Sequence, residues 1–371
     1  MANTFVTLQE IARQALPRLS ENLVFPSLIH RDFSEDFHGV GDTVRVRKPV
    51  VYQAGEFDEE AGVTYQDIVE DAVEVTLSHI ATVDARASAI EAATSIDDLN
   101  RVFVEPAAQA IAEKINSDGL LLYRDVYNCV GTAGATPSSL TAIADARKAL
   151  NLMKAPNAGR CAVWDVDADA ALTSLDALVN AEKAGSTQAL RDGAIGRVYG
   201  IDNYISQGVH AHASAITAKT AVKVNGAVLA GATSLDIDGT TLAGRLVAGD
   251  ILVIGTARYV VTEESAEASS NAISGVKVAP AMATTADNAD VTIVSSHVAN
   301  LAFHPMAFAY VTRPLSNPDG QGVESYVTSF NGLSLRVTRG YDQQYKRSVY
   351  SMDVLYGFKT VYPELAVRVL G

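Results

Sequence analysis

The sequence predicts an α+β protein in which an all-β module interrupts a mixed domain of helices and strands. Between about residues 216 and 297, short runs alternate apolar and polar residues and are separated by turn signals such as Asn-Gly and Asp-Gly. On both sides of this segment, capped helical patterns occur together with further alternating runs. A chain of 371 residues is also long for a single core, which favours two or three compact units.

Composition limits the classes of function. Charged residues make up 19% of the chain, below the roughly 25% of soluble proteins, so part of the surface is expected to be covered by neighbours. A net charge of -14 argues against wrapping nucleic acid, because Lys and Arg supply affinity for phosphates. Cys129 and Cys161 are too few for a disulfide framework and favour a reducing cytoplasm. With no basic-then-apolar leader and no apolar run near ~20 residues, we expect neither secretion nor membrane insertion.

The N-terminal region contains a capped amphipathic helix followed by a strand and an acidic hairpin. Thr7 to Glu10 reads as a capping box, and the helical stripe continues to Leu19. A strand is predicted from Val44 to Val51. The following segment, from Tyr52 to His79, holds no Lys or Arg and alternates in a way that predicts a long hairpin returning toward Ile80. A solvated acidic face is the alternative interpretation.

Several helices precede the β module. One is predicted from Ser95 or Asp97 through Asn100, and a longer one from Pro106, with Gly119 as an interruption. The longer helix would carry Ala107, Ala110, Ile111 and Ile115. Further on, the pattern predicts a helix from Thr136 to Met153, a strand from Arg160 to Trp164 and a helix from Ala168 to Glu182.

The β module contains the runs TAVKV, TSLDI, DILVI, ARYVV, GVKVA and DVTIV. Six such strands can close a small barrel or sandwich. Tyr259 is the only aromatic residue of the segment, so aliphatic packing must stabilise it, and we expect only marginal stability in isolation.

The strongest enzymatic alternative is the sequence WDVDADAAL. A haloacid-dehalogenase phosphatase requires Thr or Val where Asp169 stands, and an EF-hand loop beginning at Asp165 would have Ala170 where Gly is required. Helix capping by Asp165 and Asp167 explains these carboxylates more simply. The glycines at 193, 196 and 200 lack the context of a dinucleotide fingerprint, and no GxSxG elbow occurs.

The histidines are scattered, and only His210 and His212 lie close together. On a strand they would share a face, but no third metal ligand is evident, so we expect a hydrogen-bonded or solvent-facing pair. We therefore predict no catalytic site, no metal and no cofactor.

Five sequence segments carry a resemblance to a known family. They are HRDF at His30–Phe33, GDTVRVRKP at Gly41–Pro49, QALRDGAIGRVYGIDNYIS at Gln188–Ser206, NLAFHPMAFAYVTRPL at Asn300–Leu315 and the tail from Gly332 to Leu370. In this order they resemble the P22-type coat proteins of tailed bacteriophages, which share the HK97 capsid fold and carry an inserted β domain. The resemblance spans nearly the whole chain.

The resemblance implies a division of the chain. Its parts are an N-terminal arm and first strand (1–49), an E-loop hairpin (50–79), a P-domain with a spine helix (80–130), an A-domain (131–215 and 298–325), the inserted β domain (216–297) and C-terminal P-domain strands (326–371). The inserted domain would be attached through two close strands, near Tyr204 and Phe303.

The resemblance also implies function. The chain would be a major capsid protein that self-assembles, as hexamers and pentamers, into an icosahedral shell enclosing double-stranded DNA without sequence-specific binding. Implied partners are a scaffolding protein, a portal protein and a decoration protein. Assembly would occur in the host bacterial cytoplasm, and the location would be the virion. An encapsulin-type nanocompartment shell is the alternative within the same fold, and a dehalogenase-type phosphatase is the alternative from another class.

In such a shell, the acidic hairpin is expected to meet basic residues of a neighbouring subunit. The candidate contact residues are Glu56, Asp58, Glu59, Glu60, Arg45, Arg47, Lys48, Arg336, Arg339, Lys346 and Arg347. Residues 51–79 contain no lysine, so no isopeptide cross-link through the hairpin is expected.

Overall fold

The computed structural model describes residues 15–17, 19, 23–31, 43–47, 72–88, 105–184, 191–316, 323–330, 333–345 and 347–371. The chain divides into two compact units. Unit 1 comprises Met1–Arg18, Arg31–Ile111 and Ala309–Val361, and unit 2 comprises Leu19–His30, Ala112–Phe308 and Tyr362–Gly371.

The helices and strands are numbered along the chain. The α-helices are α1 (Phe25–Leu28), α2 (Glu105–Leu120), α3 (Leu140–Leu152), α4 (Val166–Thr173), α5 (Asp176–Val179) and α6 (Ala181–Ala184). Short 3-10 helices lie at Leu121–Asp125, Pro305–Ala307 and Pro363–Leu365.

Eight strands precede the barrel described below: β1 (Thr43–Arg47), β2 (Ala72–Thr76), β3 (His79–Ser88), β4 (Cys129–Gly131), β5 (Cys161–Trp164), β6 (Gly196–Val198), β7 (Ile201–Ile205) and β8 (Ala211–His212). The next eight are β9 (Ile216–Thr220), β10 (Lys223–Val224), β11 (Ser234–Asp238), β12 (Thr241–Gly244), β13 (Ile251–Ile254), β14 (Ala257–Val261), β15 (Ala272–Ala279) and β16 (Val291–Ile293). The last six are β17 (His297–Phe303), β18 (Phe308–Arg313), β19 (Glu324–Phe330), β20 (Leu333–Asp342), β21 (Arg347–Thr360) and β22 (Ala366–Leu370).

Unit 1 is built on a five-stranded sheet with the order β18-β21-β20-β19, in which β3 also pairs with β21. Successive residues of a strand point to opposite faces. On β20, Leu335 and Val337 are fully buried, whereas Arg336 between them belongs to the other face. One face of the sheet therefore contributes to the core of unit 1, and the other carries polar side chains.

Helix α2 buries Ala107, Ala108, Ile111 and Ile115, which recur at helical spacing, and leaves Ala110 exposed. Gly119 was predicted to interrupt this helix, and α2 indeed ends one residue later, at Leu120, where the 3-10 helix follows. A single glycine costs a helix only about 1 kcal/mol, which tertiary packing readily offsets. Among the described residues, no helix is long and apolar enough to cross a membrane.

Unit 2 contains a seven-stranded sheet with the order β4-β22-β17-β5-β7-β6, in which β8 also pairs with β17. The central strands β5 and β22 are buried at every position, which explains why they are apolar apart from Arg368 of β22. Ile143 of α3 and Ala168 of α4 pack with Trp164 of β5 in one apolar cluster. Helices α3 and α4 thus share a core with this sheet.

The helix predicted from Ala168 to Glu182 is divided into α4, α5 and α6. At the break, the hydroxyl of Thr173 donates to the carbonyl of Asp169, and that of Ser174 donates to the carbonyl of Ala171. Such local bonds compete with the regular helical pattern. The start of α3 also differs from the prediction, since the helix begins at Leu140, after Ser139.

The segment between β8 and β17 folds as a small barrel. Six strands follow the order β10-β11-β15-β14-β13-β16, and backbone hydrogen bonds from Val291 to Val222 and from Val224 to Ala289 join the first strand to the last. The pair β9–β12 forms a separate two-stranded sheet. Aliphatic side chains such as Leu252 fill the interior. The six predicted runs coincide with these six barrel strands.

The two close strands expected near Tyr204 and Phe303 are β7 and β17, and they are not direct neighbours in the sheet. Strand β5 lies between them, since β7 and β17 both pair with it. The strand that pairs with the start of β17 is β8, with His212 opposite His297. At the C-terminus, β19–β21 belong to unit 1 and β22 belongs to unit 2. Residues 326–371, which were expected to lie in one domain, are therefore divided between the two units.

Candidate functional site

The base of the acidic hairpin is an antiparallel pair, β1 and β2, with Arg45 opposite Glu74 and Arg47 opposite Ala72. The connecting segment, with Lys48, Glu56, Asp58, Glu59 and Glu60, lies outside the described residues, as does Lys346. The base approaches β21 closely at Gly357, where an added Cβ would lie 2.3 Å from the carbonyl oxygen of Thr76. This approach requires glycine.

The three described basic candidates of β20 and β21 do not form one patch. Arg336 is opposite Asp353, and Arg347 is opposite Asp342, which places both on the polar face. Arg339 is an odd number of positions from Arg336 and belongs to the other face. The odd spacing already puts Arg336 and Arg339 on opposite faces of a strand, but only the register of the sheet shows that Asp353 lies opposite Arg336.

Their surroundings differ as well. Arg336 donates to Asp353 Oδ2 through Nε and Nη2 at 3.1 and 2.7 Å, and Ser351 donates to Oδ1 of the same carboxylate at 2.9 Å. Arg339 is more exposed, 4.0 Å from Glu324, and its guanidinium lies 5.7 Å from the ring centroid of Tyr350. Arg336 therefore stabilises its own chain, and Arg339 has more freedom to contact another molecule.

A buried charged cluster in unit 2 was not predicted. Arg368 of β22 is fully buried and donates to the carbonyl oxygens of Gly249 at 2.7 Å and Val126 at 3.0 Å. Its guanidinium lies 4.9 Å from the ring centroid of Tyr123. Burial lowers the pKa of Arg368 to about 10, which still leaves it charged at neutral pH.

His212 and Asp250 complete this cluster. The Nε2 atom of His212 lies 2.9 Å from Asp250 Oδ1, and its Nδ1 atom lies 3.1 Å from the hydroxyl of Tyr123. The other oxygen of Asp250 accepts from the backbone N–H of Val247 at 2.8 Å. The expectation that His212 is a hydrogen-bonded histidine is confirmed.

His297 faces Arg368 from β17. A carbonyl can only accept, so Nδ1 donates to the Ser295 carbonyl at 2.8 Å, and the Nε2 lone pair is 3.4 Å from Nη1 of Arg368. Burial lowers the pKa of His297 to about 4, and the positive charge of Arg368 acts in the same direction. This histidine is therefore neutral at physiological pH.

The cluster connects parts of unit 2. Asp250 and Gly249 lie at the start of β13 in the barrel, whereas Arg368 and His297 belong to the seven-stranded sheet. His212 and Asp250 are both buried. The one sequence signal was an arginine in the middle of the apolar run AVRVL, because a charge there must be buried and paired.

The carboxylates of the enzymatic alternative have a local role. Asp165 caps α4 by accepting from the backbone N–H of Asp167 at 3.2 Å, which confirms its interpretation as a helix cap. Burial, with a contribution from Asp165, raises the pKa of Asp169. In the part of the chain that the structure describes, no group of three or more His, Cys, Asp or Glu side chains could hold a metal ion.

Comparison with known proteins gives similarity of structure only. No protein-family model and no curated protein sequence matches the chain. A solved structure from Mycobacterium phage Che8 matches with a TM-score of 0.54 and 18% identity, covering 94% of this chain and 90% of that chain. The two chains therefore share a fold.

Two further solved structures match at lower TM-scores. The capsid of cyanophage P-SCSP1u gives a TM-score of 0.48 at 10% identity, covering 89% of this chain and 84% of that chain. The capsid of Ralstonia phage GP4 gives a TM-score of 0.48 at 10% identity, covering 92% of this chain and 86% of that chain.

Proposed function

We propose that this chain is the major capsid protein of a tailed double-stranded-DNA bacteriophage. It would have the HK97-like capsid fold and build the icosahedral head shell as hexamers and pentamers. The observation that supports this most is the fold shared with the phage Che8 chain over 94% of the present sequence. The motifs that resemble P22-type coat proteins, in order along the chain, point to the same function.

The barrel would be the inserted domain of a P22-type coat protein. Its support is the position of the barrel between two paired strands of one sheet, β8 and β17. Both ends of the segment leave the sheet at one place, so the segment can be accommodated without changing the sheet order. The cluster around Arg368 would then hold the barrel in a defined orientation on that sheet.

In this function the site is a set of contacts between copies. If each pairwise contact contributes only about -4 kcal/mol, equivalent to ~1 mM, a closed shell is still stable because every subunit makes several contacts at once. The acidic hairpin would provide one of these contacts, meeting basic side chains of a neighbour. Contacts of this strength also allow misplaced subunits to leave.

The partners and location follow from the same proposal. The shell would form in the bacterial cytoplasm around a scaffolding protein and a portal protein, with a possible decoration protein on the finished virion. It would enclose DNA without sequence-specific binding, which is compatible with a net charge of -14. No enzymatic activity and no cofactor are needed.

The experiment is to purify the chain and follow assembly by sedimentation and negative-stain imaging up to a concentration of ~1 mM. We expect closed particles of uniform diameter built from the 39.2 kDa chain. A chain that stays monomeric over this whole range, both alone and when co-expressed with a scaffolding protein, would contradict the proposal. Particles that copurify with a cargo protein bearing a shared terminal peptide would favour an encapsulin-type shell.

A further inference from the structure

Unit 2 carries an open groove on the outer side of α3. It has a volume of about 550 Å³ and is lined by Ala144, Arg147, Lys148, Asn151 and Leu152 of α3 and by Tyr199 of the turn between β6 and β7. We call this surface the basic groove. It combines cationic and apolar side chains, which is typical of the centre and rim of a protein interface.

The apolar side chains of the groove are unusually exposed. Leu152 is 71% exposed and Tyr199 is 46% exposed, although both are large. Arg147 and Lys148 are also exposed, and among the described residues neither forms an ion pair with an acidic side chain. A surface with uncovered apolar groups and uncompensated positive charge fits a binding partner that is apolar and acidic.

Tyr199 has a backbone conformation that is uncommon for a bulky residue. Tyr199 and Gly200 form the two-residue connection between β6 and β7, with φ of 50° and 79°. Such turns favour Asn or Gly at both positions, and a bulky residue with positive φ is uncommon. Here a tyrosine occupies this position, and it lines the groove.

A second surface of unit 2 has the complementary character. It comprises Asp165, Asp167 and Asp169 around the start of α4, with Val166, which is 51% exposed, between them. Ile205, the cross-strand partner of Trp164, is 47% exposed. We call this surface, defined by these five residues, the acidic edge.

The two surfaces lie at opposite ends of the same sheet. Strands β5 and β7 are parallel, with Cys161 opposite Asp202 and Trp164 opposite Ile205. Tyr199 lies in the turn before β7, at the amino end, whereas Val166 and Ile205 lie at the carboxyl end. The groove and the edge therefore cannot meet within one copy, but they can meet between two copies arranged head to tail.

Charge is segregated along this part of the sequence in the same way. Residues 140–160 contain four basic side chains and one acidic one: Arg147, Lys148, Lys154, Arg160 and Asp145. Residues 161–182 contain only acidic charges: Asp165, Asp167, Asp169, Asp176 and Glu182. Opposite charges at the two ends of one domain favour association in a single direction.

We propose that the basic groove of one copy binds the acidic edge of a second copy. Val166 of the second copy would contact Leu152 and Tyr199, while Arg147 and Lys148 pair with the aspartates. This inference rests on the proposed self-assembly and names one of its contacts. A head-to-tail contact of this kind is heterologous, so it generates a ring when the rotation closes.

The test uses charge reversal on each side. The variant Arg147→Glu with Lys148→Glu and the variant Asp167→Lys with Asp169→Lys should each fail to associate at concentrations where the parent assembles. A chain carrying all four substitutions should associate again, because glutamates in its groove meet lysines on its edge. The control, Arg191→Glu with Lys277→Glu, changes the net charge as much as the groove variant at exposed positions outside both surfaces and should assemble like the parent.

Circular dichroism and melting curves establish that each variant is folded. The readouts are sedimentation velocity for small oligomers and imaging for particles. Groove and edge variants that associate like the parent would overturn this inference and leave the proposed shell function standing. This inference is also overturned if the groove variant and the edge variant both fail to associate and the chain with all four substitutions does not associate again. Direct pairing between the two surfaces is then excluded, while the proposed shell function still stands. A parent chain that associates into head-to-tail oligomers without forming shells would contradict the shell function alone, and one that never self-associates would overturn both.

Discussion

His212 and Asp250 form a buried hydrogen bond of 2.9 Å between Nε2 and Oδ1. The histidine lies on β8, which leads out of the seven-stranded sheet, and the aspartate lies at the start of β13 in the barrel. Arg368, from the last strand of the chain, donates to the carbonyl of the adjacent residue Gly249. Residues far apart in sequence thus meet where the barrel joins the sheet.

We expect Asp250→Ala to lower the free energy of unfolding of unit 2 by about 3 to 5 kcal/mol. The substitution leaves the N–H of Val247 without its acceptor and removes the negative charge beside His212 and Arg368. Chemical denaturation measures the change. Glu263→Ala, at an exposed position of the barrel, is the control and should change stability by no more than about 0.5 kcal/mol. Equal stability of the two variants would contradict a stabilising role for the cluster.

Stability should fall as the pH is lowered from about 6.5 to about 4. The pKa of His297 is about 4 in the folded chain and 6.5 when the side chain is not buried, as in the unfolded chain. Between these two values the unfolded chain therefore binds a proton that the folded chain does not. His297 contributes at most about 3 kcal/mol to this change in the free energy of unfolding. Above the pKa that His297 has in the unfolded chain, its contribution does not change with pH. Below pH 4 this group causes no further loss. Arg368, His212 and Asp250 face the ring and set its surroundings.

The measurement is the unfolding free energy of the parent and of His297→Gln between pH 4 and 7. Glutamine does not titrate, so the slope due to this position should disappear in the variant. Identical slopes for the two chains would assign the pH dependence to other groups.

The barrel should fold when it is separated from the rest of the chain. A fragment of residues 213–296 contains all strands of the closed six-stranded sheet and its aliphatic core. We expect a β-type circular dichroism spectrum and dispersed amide signals. Leu252→Ala removes a fully buried side chain from this core and should cost about 2 to 5 kcal/mol, enough to unfold a marginal fragment. A random-coil spectrum for the parent fragment would contradict an autonomous fold.

Arg336 and Arg339 should respond differently to truncation. Arg336→Ala leaves the buried carboxylate of Asp353 without its cationic partner and should cost unit 1 about 3 kcal/mol. Arg339→Ala breaks an exposed pair and should cost no more than about 1 kcal/mol, while still slowing assembly if Arg339 contacts a neighbour. Melting curves and assembly rates, compared for the two variants, separate these effects. Equal destabilisation would be inconsistent with the sheet register.

Reversal of the acidic hairpin should slow assembly. Glu59→Lys with Glu60→Lys changes two carboxylates of a segment that has no basic residue from Tyr52 to His79. Exposed charges act mainly on association rate and are screened by salt, so the effect should be larger at low ionic strength. Light scattering at two salt concentrations measures it. Assembly rates that match the parent at both concentrations would rule out a role for these carboxylates.

Much of the fold could be anticipated because short patterns carry it. The alternating runs from TAVKV to DVTIV coincide with barrel strands, and Asp165 caps the helix that follows it. Sequence periodicity reports which face of an element is buried, and a capping residue acts on its immediate neighbours. The break at Thr173 and Ser174 was missed because hydroxyl groups can point to solvent or bond back to the helix, and the pattern does not distinguish the two.

By itself, the sequence determined the interrupted α+β organisation, the strands of the barrel and the separation of basic from acidic residues between positions 140 and 182. Only the tertiary structure decided that β8 pairs with β17, and that Arg368 meets Gly249 and His297. It also decided that Asp353 lies opposite Arg336 in the sheet. The reason is that strand order, register and long-range polar contacts depend on pairings between distant segments, which no local pattern encodes.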